Sequence, residues 1–478
     1  MKALLATLLL ISVLLVSGVG YALTPPIIYV AGDGSGDFNC DGKDDHEQIN
    51  AALSYLLEHP EYTTVYLKGP FTYVISDTIV LYSNSRLTGD ADAAVKLADN
   101  VGWPAYKAMF ANKASLAIGP ADTDIEIWGF EINGNRDENS QGIKSGAYYH
   151  NLFSVKYCKN MSIHDMYLHN NHNDGITFNT SDNLKFYNNN VYRLGHDVVY
   201  AYKSTNVEVY NNTVTIRTNC AFRMYNTNHA SVHDNVITSL GEGGAGIQIQ
   251  KESDAFPMDD VEIYNNDISS TVHPGIWVFA RGNVYPKEQV TNLRIHNNTI
   301  RNCRGSGIVI NGFYNALIEN NVIDGCYGAG IVHKHSFAFP GSGYITIVRN
   351  NIITNTRPHE SGGNGVAILN RLSDTHTFII DNNCLYNNAG GNYQNASSTT
   401  DIYVDPLYAD RAKADYHLKS MGGRWDGSTW VIDNQHSPCI DAGYADSDYS
   451  LEPNPNGGCI NIGLYGNTAE ASLSAPAK

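Results

Sequence analysis

Two aspartates, a histidine and an arginine fall at related places in this sequence. Asp174 lies in "HNDG" (172–175), His196 and Asp197 in "GHDVVYAYK" (195–203), and Arg223 in "FRMY" (222–225). Asp174 and Asp197 occupy the same phase of a repeat, so they are expected to stack in adjacent structural units. Carboxylates at such spacing repel, which raises the pKa of one or recruits a cation. Close carboxylates also serve glycosidases, one as acid and one as nucleophile or base. The competing reading is that each aspartate caps a local turn. His196 suits a general acid or base, or a hydrogen bond to a loop. Arg223 can clamp a uronate carboxylate with two hydrogen bonds. Neutralising that carboxylate acidifies the neighbouring C–H, and His196, Tyr200 or Lys251 is placed to remove the proton. The alternative for Arg223 is a cation–π stack among Tyr200, Tyr202 and Tyr225. The candidate catalytic residues are therefore Asp174, Asp197, His196 and Arg223. The candidate substrate-binding residues are Tyr200, Tyr202, Lys203, Tyr225, Gln248, Gln250, Lys251, Trp277 and Phe279, with Trp277 and Phe279 as a sugar-stacking platform. No metal ligand set is assigned, and a calcium requirement stays open.

What positions these residues is a repeat. "NLKFYNNNV" begins at 183, "NVEVYNNTV" at 206, "DVEIYNNDI" at 260, "NLRIHNNTI" at 292, "NALIENNVI" at 315 and "TFIIDNNCL" at 377. The second Asn of each pair falls at Asn189, Asn212, Asn235, Asn266, Asn298, Asn321, Asn351 and Asn383, in steps of 23, 23, 31, 32, 23, 30 and 32. A base unit with insertions, two apolar β segments per unit and no helical periodicity predicts stacked coils of a parallel β-solenoid. One Asn per coil at a turn is expected to bond to its copies above and below, as Asn ladders do. The second segment ("GITF" at 175, "GIQI" at 246, "GIWV" at 275, "GIVI" at 307) alternates. Its outward columns run Ser154, Thr177, Tyr200, Arg223, Gln248, Trp277, Val309, Val332, Ala367, and Lys156, Asn179, Tyr202, Tyr225, Gln250, Phe279, Asn311, Lys334. Polar and aromatic residues concentrate between 150 and 281, and segments 250–260 and 280–291 are expected to wall one side of a groove.

A solenoid needs its ends covered. "GKDDHEQINAALSYLLEH" (42–59) predicts an amphipathic helix that places Ile49, Ala52, Leu53, Leu56 and Leu57 on the first coil. "DFNCDGKDD" spaces Asp37, Asn39 and Asp41 like the start of a calcium loop, but Gln48 stands where the closing Glu is needed, so a capping turn is preferred. The expected division is a signal peptide (1–22), an N-terminal cap (23–65), the β-helix (66–398) and a closing segment (399–478). Cys439 and Cys459 are placed to cross-link the last of these. Cys303 and Cys326 share a phase, as stacked thiols or a disulfide.

Together "DGKDDHEQINAAL", "TVYLKGPFTYVISDTIVLYSNSRLTGD", "GFEINGN", the coils and "DYHLKS…SPCIDAG…NIGLYGNTAEAS" resemble the right-handed parallel β-helix proteins of the pectate-lyase-like superfamily. The ending is similar to that of relatives of the methanogen disaggregatases. The resemblance implies an all-β solenoid and a link to an acidic, chondroitin-like envelope polysaccharide. The superfamily spans lyases, hydrolases, epimerases, tailspikes and proteins without activity. The sequence has no "GHG" or "RIK" of polygalacturonases and no "DPHD" of mannuronan epimerases.

Composition bounds the partners. Lys2 before the apolar run Ala3–Val16, with Gly20-Tyr21-Ala22 behind it, reads as a secretory signal, and no later stretch is apolar enough to span a membrane. Eight cysteines without a CxxC pair suit an oxidising compartment rather than a zinc site. A net charge of −17 argues against nucleic acid, though a local basic groove still accommodates an acidic glycan. The expectation is a secreted or cell-surface enzyme that cleaves an acidic polysaccharide as lyase or hydrolase, monomeric or trimeric. Its alternative is a non-catalytic glycan-binding or structural surface protein.

Overall fold

The structure, a computed structural model, describes residues 26–476 apart from 118, 140–149, 217–218, 253–255, 282–289, 335–342, 361–362 and 372–375. The expected signal peptide, and much of the two segments expected to wall the groove, lie outside the described residues. Among the described residues three long parallel sheets carry 14, 12 and 12 strands. Every coil contributes one strand to each sheet. One coil reads Asp182–Tyr187, Asn190–Tyr192 and Val199–Tyr202, and the next reads Thr205–Tyr210, Thr213–Ile216 and Phe222–Tyr225. Each strand pairs only with its equivalents in the coils before and after it.

Alternation inside these short strands fills the core. Ile176, Phe178, Val199, Ala201, Phe222, Met224, Ile247 and Ile249 point inward from the third sheet and are fully buried. The asparagine pair divides two tasks. The first member takes the left-handed conformation, as at Asn188, Asn211, Asn265, Asn297 and Asn320, with φ between 50° and 56°, which Asn tolerates better than most residues. The second is buried and forms the expected ladder. From Asn189 to Asn383, each Nδ2 donates to the Oδ1 of the next at 2.9–3.0 Å, and that oxygen also accepts the backbone N–H of the previous ladder residue. On the outer face of the first sheet, the residue before the left-handed position adds a column of rings in seven successive coils. Trp128, His164, Tyr187, Tyr210, His233, Tyr264 and His296 stack at 4.5–5.7 Å with planes within 8°. Their faces cover one another, which leaves edges rather than faces for solvent.

The N-terminal helix runs His46–Glu58 and buries Ile49, Ala52, Leu53 and Leu56. Leu57 instead points to solvent, 56% exposed, because it falls one position past the buried stripe. Asp37, Asn39 and Asp41 accept the backbone N–H groups of Tyr29, Gly36 and Lys43. The C-terminal segment does more than close an end. It runs back along the coils, where Asn382, Asn350, Asn320 and Asn297 bond in turn to residues 442–443, 444 and 447, 461 and 463, and 464 and 466. Val322, Ile352 and Cys384 are buried beneath it against Leu418, Cys439 and Ile462. All eight cysteines are free thiols, so the Cys439–Cys459 cross-link does not form. Cys439 packs beside Cys384, while the Cys459 thiol lies 3.3 Å from the Gly443 carbonyl. Cys303 and Cys326 are buried, stacked thiols without a bond.

Asn266 to Ala should lower the unfolding free energy by about 3 kcal/mol, because it strands buried donors of Asn235 and removes the acceptor that holds them. Asn265 to Ala should cost about 1 kcal/mol through its positive φ, and Asn265 to Gly should cost less. Chemical denaturation of the three variants checks the order.

Candidate functional site

The third sheet presents the expected outward columns. Register pairs Ser154, Thr177, Tyr200, Arg223, Gln248, Trp277, Val309 and Val332 in sequence, and beside them Lys156, Asn179, Tyr202, Tyr225, Gln250 and Phe279. One position fails. Val332 pairs with Leu369, and Ala367 points into the core. Aligning Gly330 with Gly365 misplaces that last coil by two residues.

Asp174, His196, Asp197 and Arg223 come together at the start of these strands. Asp174 Oδ1 accepts the backbone N–H of Asp197 at 3.1 Å and lies 2.7 Å from His196 Nδ1. Its other oxygen accepts the Thr177 hydroxyl at 3.2 Å. Asp197 Oδ1 accepts the Cys220 N–H at 3.1 Å. Asp197 Oδ2 faces Arg223 Nε at 3.1 Å and His196 Nδ1 at 3.4 Å. Both aspartates therefore cap the coil that follows, and both also hold cationic partners. The Asn219 amide donates to His196 Nε2 at 2.9 Å, so neutral His196 carries its proton on Nδ1 toward Asp174 and its lone pair on Nε2. Asn219 was not singled out from the sequence, although it stands one base unit of 23 residues after His196.

Exposure separates the roles. The Asp197 side chain is 0% exposed, whereas those of His196 and Arg223 retain 22% and 17%. Burial pushes Asp197 up to about 6, against the pull of Arg223 and His196. Burial opposes charge on His196, but the Asp174 hydrogen bond and the Asp197 charge outweigh it and hold its pKa above the ordinary value. Burial also drives the Tyr200 phenol far above its usual range, so it stays protonated. The Arg223 guanidinium carbon lies 5.7 Å from the Tyr200 ring centre, and Tyr202 and Tyr225 complete an aromatic patch with centroids 5.1 Å apart. Lys203 sits over Tyr202 at 5.1 Å. The ring contact expected as the alternative for Arg223 is thus present, and the ion pair with Asp197 was not anticipated from the sequence.

Several expected ligand contacts are placed otherwise. Lys251 is fully buried, and its Nζ donates to the Phe256 carbonyl. It aligns with the core residue Ala280, so it is neither a base nor an outer-face contact. Phe279 is buried, and Trp277 packs into an apolar cluster with Val309, Val332 and Leu369. Among the described residues the two rings therefore do not present the open stacking platform expected. Gln248 and Gln250 are also buried, in a chain from Gln248 Nε2 to Gln250 Oε1 and from Gln250 Nε2 to Glu252 Oε1, each 2.6 Å. Glu252, not identified from the sequence, also accepts the Tyr225 hydroxyl at 2.7 Å.

Asp174, His196 and Asp197 bring three potential metal-ligand atoms within 4.8 Å of one another. A divalent ion there would meet the Arg223 guanidinium, which already faces Asp197.

Residues 148–259 match a family model described as right-handed beta helix region, and residues 258–443 match one described as disaggregatase related. This chain is a right-handed parallel β-helix protein. Solved structures agree on the fold of this β-helix. The A-module of the Azotobacter vinelandii mannuronan C-5 epimerase AlgE6 is 16% identical with a TM-score of 0.54, over 76% of this chain and 96% of that one. PfbA, a surface adhesin of Streptococcus pneumoniae, is 15% identical with a TM-score of 0.50, over 77% and 93%. Gene product 12 of bacteriophage phi29 is 17% identical with a TM-score of 0.51, over 78% and 56%. No curated protein matches the sequence. Among the described residues no helix is long and apolar enough to cross a membrane.

If neutral His196 is the working form, activity should rise with pH through its raised pKa. Asp174 to Asn removes the hydrogen bond that raises it, so the acid limb of the kcat/KM profile should move to lower pH as the rate falls. A pH profile on both proteins checks the direction.

Proposed function

We propose that this β-helix is a secreted polysaccharide lyase acting on an acidic, uronate-containing glycan. The observation that carries the reading is the Asp174–His196 pair beside Arg223 and a protonated Tyr200. His196 Nε2, once substrate displaces the Asn219 amide, takes the proton from the carbon next to the uronate carboxylate. Arg223 neutralises that carboxylate and stabilises the negative charge that develops on it. The adjacent C–O bond breaks, a carbon–carbon double bond forms, and Tyr200 returns a proton to the leaving oxygen. Asp174 holds the imidazole in the useful tautomer, and Asp197 holds Arg223.

Support for a lyase over a hydrolase comes from where the carboxylates point. A glycosidase pair flanks the glycosidic bond, about 5 to 9 Å apart, with both groups open to the sugar. Here Asp197 is enclosed and both aspartates face one imidazole. The uronate substrate class draws support from a fold shared with a mannuronan C-5 epimerase and from the disaggregatase-related match. The Lys2–Val16 leader supports export.

Incubation with chondroitin, pectic and alginate polymers should give new reducing ends together with near-ultraviolet absorbance from the unsaturated product. His196 to Gln and Arg223 to Ala should each lower kcat/KM by about 1000-fold. Reducing ends without absorbance would overturn the lyase in favour of a hydrolase, and binding without turnover would favour an adhesin. No step of this scheme uses a metal ion, so a chelator should leave the rate unchanged.

A further inference from the structure

The outer face of the third sheet continues past the Asp–His–Arg cluster toward the N-terminal coils. There the short helix Lys113–Leu116 lies over the sheet and parts two clefts of about 510 and 670 Å³. Ser154 of the first outward column lines one cleft, and Lys156 of the second lines the other. The helix is fastened in place. Ser115 donates to the Ser154 carbonyl at 3.0 Å, and buried Asn112 accepts the Lys156 N–H at 2.9 Å while donating to its carbonyl at 2.7 Å. The clefts are thus built features rather than gaps beside a loose loop.

Their chemistry suits an anionic sugar. Lys156 makes no ion pair among the described residues and opens to its cleft, unlike Lys107, which Asp77 neutralises at 2.8 Å. Tyr157 lines the same cleft and is 49% exposed, and Tyr106 lines the other. An exposed ring beside an unpaired ammonium offers a sugar both a flat apolar face and a charge for its carboxylate or sulfate. Register fixes the distance. Ser154 to Arg223 and Lys156 to Tyr225 are each three coils, about 14 Å at the usual strand spacing. A glycan chain laid along the coil axis passes over both places.

We infer that Lys156 and Tyr157 form a remote subsite that grips an anionic sugar of the same polymer whose reacting residue lies at Arg223. The inference rests on the acidic-glycan reading but not on catalysis. It predicts that affinity depends on chain length, because a disaccharide is too short to reach both places and a dodecasaccharide is not.

Titration calorimetry with chondroitin sulfate disaccharide and dodecasaccharide tests it, with dextran oligosaccharides of matching length as neutral probes. Wild type and the His196→Gln variant should bind the dodecasaccharide about tenfold more tightly than the disaccharide. Lys156 to Ala should abolish most of that ratio with an unchanged Tm, and Lys156 to Arg should keep it. A ratio unchanged by Lys156 to Ala, or an equal length effect with dextran, overturns the subsite while the reading at Arg223 stands. Failure of wild type to bind either charged probe would remove the acidic-glycan reading and the subsite together.

Discussion

Every feature of this molecule depends on coils that stay in register, and the buried asparagine ladder is what polices that register. A parallel sheet alone tolerates slippage, because its backbone bonds are the same at every step of two residues. The ladder does not. Each asparagine must meet the one above it through Oδ1 and the one below through Nδ2, and a slipped coil would bury both groups unpaired. Insertions of seven to nine residues between coils leave the ladder unbroken.

The same register assembles the candidate site. Asp174 and Asp197 are equivalent residues of adjacent coils, and so are His196 and Asn219. None of these contacts requires a special loop. They arise because the repeat places unlike side chains in one column, where Asp174 caps its neighbour's backbone and meets His196 with the same oxygen, and Asp197 divides the two tasks between its oxygens. Stability and chemistry are therefore written on the same carboxylates. Replacing Asp197 would disturb the Cys220 turn as well as Arg223.

The fold was legible because its signal repeats. Eight asparagines at a common phase and alternation in every second segment left little freedom, and the outward columns follow. The four-residue cluster was legible for the same reason. What was not legible is burial on the outer face. Gln248, Gln250 and Phe279 alternate outward as expected, yet they are covered, and alternation gives direction without saying what lies on top. A lysine reads as exposed, but the Lys251 strand extends two residues further than the strand before it and alternation turns Lys251 inward. Cysteine pairing failed because phase relates residues within coils and says nothing of a segment that folds back across them. The ring column was readable in "FYNN", "VYNN", "IYNN" and "IHNN", one place before the asparagines.

The ladder's last partner has a consequence of its own. Asp401 stands where a ninth asparagine would, accepting the Asn383 amide at 3.1 Å and its N–H at 2.8 Å, while its second oxygen takes the Tyr393 hydroxyl at 2.6 Å. A carboxylate receives but has no hydrogen to pass on. The chain of amides therefore ends in a chemical full stop, and the terminus of one molecule offers nothing for the first coil of another to copy. An endless stack of identical units is the hazard built into any such repeat, and here a carboxylate at the end of the ladder and the helix His46–Glu58 on the first coils both oppose it.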